Sequence, residues 1–312
     1  MKNLKFYFSK SQREKHIPSI SIFSKRVNTS YILPKISRFI NKYLYKIGLG
    51  SSLNRYDNSF TIYSSPKDKK LYSDYDQSDI FINFGSGMFF HNKWKNYDYP
   101  GQSKYYKCLQ GIEEKDFTPI DLCSKSLIIP EKNDSVSLIY CSHTLEHLDE
   151  KSAKIFLSEC LRILKPEGVL RLALPNTKNS FYIFGVLNSQ PKDLDNIKEA
   201  YIKYLANETL TDTANLSIEE LKALLKLSNN DSRQFFELGK EKQKSFIKFD
   251  KNNPDRHISY WDYKNLENFT NDIGFRYLIL FYQGSSTAAP FTNIRVFDNT
   301  EPHMSFYAEI IK

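Results

Sequence analysis

Residues 80–87 read Ile80-Phe81-Ile82-Asn83-Phe84-Gly85-Ser86-Gly87, a short apolar run that stops at a Gly-x-Gly turn. A run of that length, bounded by turn residues, is a buried strand. A strand that ends in Gly-x-Gly lets the backbone approach a ligand closely, because glycine has no Cβ and takes dihedrals that other residues resist. A second short strand is expected over 95–97 and ends at Asp98. There a carboxylate can accept hydrogen bonds from both hydroxyls of a ribose. An adenosyl group fits such a pair.

Outward from this pair the pattern repeats. A third strand is expected before Asp121, in Pro119-Ile120-Asp121-Leu122, and a fourth over 136–141. A helix over 150–164, closed by Lys165-Pro166-Glu167-Gly168, leads to a fifth strand over 169–174 that ends at Pro175-Asn176. Strands alternating with helices are the signature of a parallel α/β sheet. Residues 177–255 break the rhythm: 194–205, 218–227 and 232–248 all read as helices, with no strand between them. They form a helical insertion placed to act as a lid. The body resumes with a helix over 261–273 that ends at Gly274, then strands over 275–282 and 305–311.

At 312 residues the chain has room for a sizeable core, and its 15% aromatic content excludes a disordered protein. No apolar run approaches the roughly 18 residues of a membrane-spanning helix, and Met1 to Lys10 lacks the apolar core of a signal peptide. Cys108, Cys123, Cys141 and Cys160 contain no C-x-x-C pair, so free thiols in a reducing, cytoplasmic setting are expected. The net charge of +8 is uneven: residues 1–50 carry eleven Lys or Arg against the single acid Glu14, and 51–312 sum to about −2. The organisation expected is a basic N-terminal extension over 1–60 and a main domain over 61–312 that contains the insertion at 177–255. Within the extension, 34–47 places apolar residues at helical spacing between lysines and arginines. Such a helix packs on its own domain or lies on anionic lipid at the inner membrane face; no nucleic-acid partner is expected.

The run from Asn83 to Asn176 resembles class I S-adenosylmethionine-dependent methyltransferases, in particular the methyltransferase-11-like branch. The likeness rests on Asn83-Phe84-Gly85-Ser86-Gly87, Trp94-Lys95-Asn96-Tyr97-Asp98, Asp121-Leu122, Ser142-His143-Thr144-Leu145-Glu146-His147-Leu148, Arg162-Ile163-Leu164-Lys165-Pro166-Glu167-Gly168 and Pro175-Asn176, in that order. Arg256-His257 with Trp261-Asp262-Tyr263, then Ile273-Gly274-Phe275, resemble the signatures that follow in the same branch. The resemblance implies a Rossmann-like α/β fold with a seven-stranded, mostly parallel sheet, and S-adenosylmethionine as cofactor. It places Gly85, Ser86 and Gly87 along the methionine portion, Asp98 on the ribose, Asp121 and Leu122 at the adenine, and Ser142 at the cofactor. Two departures stand out: Asn83 occupies a position that is often acidic, and no third glycine follows Gly87.

Methyl transfer is an in-line displacement, so the enzyme chiefly aligns the nucleophile and needs a base only if that nucleophile starts protonated. His143 is the first candidate base, because an imidazole with a pKa near 6.5 accepts a proton from a hydroxyl at neutral pH. His257, contributed from beyond the insertion, joins it in the expected catalytic set and is with Tyr263 a candidate for acceptor binding. Glu146, His147, Asn176 and Tyr263 are the expected acceptor-binding residues. His143, Glu146 and His147 stand at i, i+3 and i+4, so a helix starting near His143 would put them on one face. Ubiquinone-type O-methyltransferases carry a similar E-x-x-E-H run that holds magnesium; here His143 replaces the first acid and imidazole suits magnesium poorly, so no metal is assigned. Relatives of this branch often work on cell-surface polysaccharides in bacteria, which makes a sugar hydroxyl the expected acceptor. The rival readings are a non-catalytic methyltransferase-fold binding module and a nicotinamide enzyme. The latter would want glycine at Phe90.

Overall fold

The computed structural model describes residues 68–87, 91, 93–99, 117–178, 216–229, 231–242, 256–294, 296–298 and 305–312, and before them only 7–8, 20–21, 39–40, 43, 52–53 and 59–61. Seven strands make the main sheet: β1 Ile80–Phe84, β2 Trp94–Asp98, β3 Thr118–Pro119, β4 Val136–Ser142, β5 Leu164–Pro175, β6 Tyr277–Phe281 and β7 Ser305–Ile311. Their spatial order is β6-β7-β5-β4-β1-β2-β3. From β5 to β3 every pairing is parallel, whereas β7 runs antiparallel to both β5 and β6. The last strand of the chain is therefore inserted between the fifth and the sixth. The described helices of eight residues or more are α1 Glu150–Ile163, α2 Ile218–Leu227, α3 Ser232–Lys242 and α4 Tyr263–Ile273.

Both faces of the sheet are covered, which is why its strands are apolar on alternate and on successive residues. One face carries Ile82, Phe84, Ile139, Cys141, Leu170, Leu172, Leu174, Ala308 and Ile310, packed with Phe156, Leu157 and Cys160 of α1 and Leu266 of α4. The opposite face carries Phe81, Leu138, Tyr140, Val169 and Ile311 against Tyr72, Trp94, Phe291 and Phe297. On that second face Arg171, Asp298 and Glu309 are fully buried as one ionic group, the guanidinium lying between the two carboxylates.

Local signals set the element ends. Asp149 caps α1 by accepting from Ser152 N, Ser217 and Glu220 form a capping box on α2, and Gly274 closes α4 in the left-handed region at φ +104. Most element ends fall within a residue or two of the sequence reading; the start of β5 differs more. β5 begins at Leu164 instead of Val169, because 164–168 stays on the sheet through an irregular register with β4 while Glu167 adopts φ +65. Ahead of β1, Tyr72 joins the second core: it is buried and its hydroxyl accepts from Trp94 Nε1 at 2.6 Å. A short strand, Ser59–Thr61, lies outside the main sheet.

Among the described residues Cys123, Cys141 and Cys160 are free thiols, and no helix is long and apolar enough to cross a membrane. The helix expected over 194–205 and the last residues of the one expected over 232–248 lie outside the described residues. So does most of the basic helix over 34–47, of which only 39–40 and 43 are described; these are helical, with Phe39 and Tyr43 exposed.

Candidate functional site

The carboxyl ends of β1, β2, β4 and β5 meet at one edge of the sheet, and the loops that leave them carry most of the predicted residues. Gly85 and Gly87 both take left-handed φ, +63 and +49. The loop is stitched to β2: Gly85 N donates to Tyr97 O at 3.0 Å, Gly87 N to Asp98 Oδ2 at 2.8 Å and Ser86 Oγ to the same oxygen at 3.3 Å. Tyr99 N donates to Asp98 Oδ1 at 2.7 Å, and Ile120 N to Asp98 O at 2.8 Å, which places Asp121 beside Asp98. Asp121 Oδ1 in turn accepts from Cys123 N at 2.9 Å. Gly85, Ser86, Gly87, Asp98 and Asp121 are thus brought together at the ends of β1, β2 and β3. Leu122 is not directed at this group alone: it belongs to the main core with Leu127 and Ile129, so its role is chiefly packing.

The turn after β4 is unusual. His143 adopts φ +47, a left-handed conformation that a side chain with a Cβ holds only where its surroundings fix it. Here its N–H donates to Ala173 O at 2.8 Å, while the ring lies between Ser305, with Nε2 2.7 Å from Ser305 Oγ, and Glu146, with Nδ1 3.3 Å from Oε1. The helix expected to start at His143 is not formed. A single 3-10 turn, Leu145–His147, follows instead, and α1 starts only at Glu150. His143, Glu146 and His147 still converge, through the kinked turn and not along a helix face. Neither Glu146 nor His147 caps α1; Asp149 does.

Glu146 is buried, with a side-chain exposure of 2%, and its Oε2 has no hydrogen-bond partner among the described residues. Burial alone would raise its pKa, but His143 beside it and the charge of His147, His143 and His257 outweigh that and hold it at about 2. Its backbone carbonyl accepts from Ile258 N at 2.7 Å and Ser259 N at 3.0 Å, so the turn is tied to the segment that follows the insertion. That segment brings His257 against His147, ring centroids 5.1 Å apart. Burial, helped by the charge of His147, pushes the His257 imidazole down to about 3. So weak a base is poorly matched to proton abstraction near neutral pH. His147 Nδ1 lies 2.8 Å from Arg256 O.

Asn176 directly follows Pro175, the β5 residue paired with Ser305, and so lies at the same edge. Ser142 ends β4, with its carbonyl accepting from Thr144 Oγ1 at 3.1 Å. Tyr263 is turned elsewhere: its hydroxyl donates to Glu267 Oε1 at 3.1 Å, one turn along α4, which does not carry it to His143. Ser305, Ser259 and Thr144 are not among the site residues that the sequence points to. Ser305 is 162 residues from His143, so no local pattern could pair them. The insertion touches this region through α3, where Ser232 Oγ lies 2.9 Å from Tyr260 Oη and the Phe236 ring packs on Tyr260.

Residues 107–172 match the family model described as "Methyltransferase domain". No curated protein matches the chain. Among solved structures the chain is similar to a SAM-dependent methyltransferase from Aquifex aeolicus, at 11% identity over 89% of this chain and 97% of that one, TM-score 0.33. It is also similar to a SAM-dependent methyltransferase from Archaeoglobus fulgidus, at 13% identity over 78% and 92%, TM-score 0.38. A third similarity is to human N-acetylserotonin methyltransferase in complex with SAM, at 12% identity over 79% and 51%, TM-score 0.34. The main sheet is a Rossmann-like, mostly parallel α/β sheet, and residues 107–172 of the chain match a methyltransferase family model. The donor set at the edge suits S-adenosylmethionine: a carboxylate at the end of β2, a second acid beside it, and a loop of two left-handed glycines.

Proposed function

We propose that the chain transfers a methyl group from S-adenosylmethionine to a hydroxyl of a sugar or lipid-linked glycan, in the manner of cell-surface polysaccharide biosynthesis. The observation that carries this reading is His143. Its ring is fixed at the carboxyl edge of the sheet by Ser305 and Glu146, on the turn whose Thr144 abuts the glycine loop. When bound, the cofactor supplies an electrophilic methyl on a sulfonium centre. The protein's part is to hold Asp98 and Asp121 for the adenosyl group, to present the acceptor hydroxyl and to take up its proton. His143 Nε2, oriented by the serine hydroxyl, is the proton acceptor, and the buried carboxylate of Glu146 stabilises the imidazolium that forms. A hydroxyl acceptor requires such a base, whereas an unprotonated amine does not. In this reading the insertion shields the acceptor from water, which favours transfer over loss of the methyl group; the contact that supports it is α3 on Tyr260, three residues beyond His257.

The test begins with calorimetric titration of the full chain by S-adenosylmethionine and S-adenosylhomocysteine, with NAD as control, repeated on Asp98→Ala. Both adenosyl ligands should bind. The variant should bind them roughly 10- to 100-fold more weakly, the worth of hydrogen bonds to a charged group. Transfer of labelled methyl to glycan acceptors should then fall in His143→Gln while cofactor affinity stays. Absence of adenosyl binding by the folded protein would overturn the enzymatic reading in favour of a binding module on the same fold.

A further inference from the structure

The cluster beyond His143 has a feature that proton transfer does not use. One ligand atom each from Glu146, His147 and His257 lies within 4.8 Å of the others. The three come from two segments more than a hundred residues apart, held together by Ile258 N and Ser259 N on the carbonyl of Glu146 and by Ser259 Oγ on the carbonyl of Leu145 at 3.2 Å. We propose that Glu146, His147 and His257 form a binding site for a divalent first-row transition-metal ion.

Two observations point to a cation. The first is the tautomer of His147. Its Nδ1 faces the carbonyl of Arg256 at 2.8 Å, and a carbonyl only accepts, so Nδ1 carries the proton and in the neutral ring Nε2 carries the lone pair. That lone pair stands 4.0 Å from Glu146 Oε1, acceptor facing acceptor. A metal-ligating histidine has this arrangement: the outer nitrogen donates to a backbone carbonyl, which fixes the ring and aims the inner nitrogen at the ion. The second is Glu146 itself. Its carboxylate is buried, and while Oε1 has the His143 ring nitrogen at 3.3 Å, Oε2 has no hydrogen bond among the described residues, a cost that a bound cation offsets.

The donor chemistry selects the ion. Two imidazoles and one carboxylate suit zinc, iron(II), cobalt(II) or manganese(II), and are the set found in zinc and iron sites that keep open positions. Magnesium and calcium prefer oxygen ligands and would be poorly served. Around a tetrahedral ion with bonds of about 2.0–2.2 Å, ligand atoms stand about 3.4 Å apart, so the separations need to shorten by at most about 1.4 Å. His147 is 19% exposed, which leaves a route for the ion and for a further ligand from solution. The site's existence does not rest on methyl transfer. Its use does: an ion beside His143 would take the acceptor hydroxyl as an additional ligand and make its proton easier to remove.

The test uses the full chain, stripped with a chelator and titrated with cobalt(II) chloride while the visible absorption of cobalt in a nitrogen-oxygen site is followed. One equivalent should bind, and added zinc chloride should abolish the band. His147→Ala, His257→Ala and Glu146→Gln should each bind cobalt about a hundredfold more weakly or worse, with circular dichroism confirming the fold of each. No band in the folded wild type would overturn the site, and so would wild-type affinity in any folded variant of the three. Should Glu146→Gln fail to fold, the two histidine variants decide the matter alone. S-adenosylmethionine titration of the same stripped samples reads the cofactor site independently. Cobalt binding without cofactor binding would refute the methyltransferase reading alone, and the reverse result the metal site alone.

Discussion

Replacing Gly85 by alanine tests how tightly the cofactor loop is fitted to the turn that carries His143. An added Cβ at Gly85 would lie 1.9 Å from Thr144 Oγ1 and 2.9 Å from both Thr144 Cβ and Cγ2. Thr144 has little room to retreat, since it is nearly buried and its hydroxyl donates to Ser142 O. The backbone adds its own cost, because φ +63 is a left-handed conformation that disfavours any side chain by about 1–2 kcal/mol. Overpacking of this kind costs typically about 1–3 kcal/mol, so the substitution should destabilise the fold by roughly 2–5 kcal/mol. Thr144→Ala in the same chain removes Oγ1 and Cγ2 but leaves the β-carbon contact and the φ penalty. The double variant should therefore recover about 1–2 kcal/mol relative to the sum of the singles. Urea unfolding of the four proteins in the cycle measures this. A Gly85→Ala cost under about 0.5 kcal/mol, or a cycle additive to within about 0.5 kcal/mol, would refute the close fit between the two loops.

Two further outcomes follow from the buried charges. The metal-free protein should lose stability below neutral pH through His257. Its folded pKa of about 3 lies below the ordinary 6.5, so the unfolded chain binds the proton first, and the contribution is complete above pH 6.5 and is lost as pH falls towards 3. The slope from this residue is about 1.4 kcal/mol per pH unit, and urea melts from pH 7.5 to 5 should show it in wild type and not in His257→Ala. An equal slope in both proteins would contradict the burial argument. Arg171→Ala should cost about 3–5 kcal/mol in the same assay, because it strands Asp298 and Glu309 as unpaired buried carboxylates; a cost under about 1 kcal/mol would show that those acids are relieved some other way.

The sheet was readable because its strands are covered on both faces and so stand out as short apolar runs cut by turn residues. β1 and β7 begin and end where the sequence places them, and α2 is bounded by a capping box that Ser217 and Glu220 announce. The start of β5 was hidden because Lys-Pro-Glu-Gly carries turn chemistry. That chemistry is expressed, as the positive φ of Glu167, without the chain leaving the sheet. The buried arginine was equally invisible: a charged residue within an apolar strand reads as a solvent position until Asp298 and Glu309 are placed beside it.

The site divides along the same line. Gly85, Gly87 and Asp98 were legible because the bonds that join them follow from adjacent parallel strands, β1 and β2, whose ends must meet. His143, Glu146 and His147 were grouped correctly for the wrong geometric reason, since spacing suggested a helix face and the chain instead folds a left-handed residue and a single 3-10 turn. That difference has chemical consequences. On a helix face the three side chains would lie in a row and share one exposure. The kink instead buries Glu146 and sends His143 towards Ser305 and His147 towards His257. One carboxylate is thereby placed between the imidazole proposed to accept the proton and the pair of imidazoles proposed to hold a metal. A variant that straightened the turn would be expected to uncouple these two roles before it unfolded the sheet.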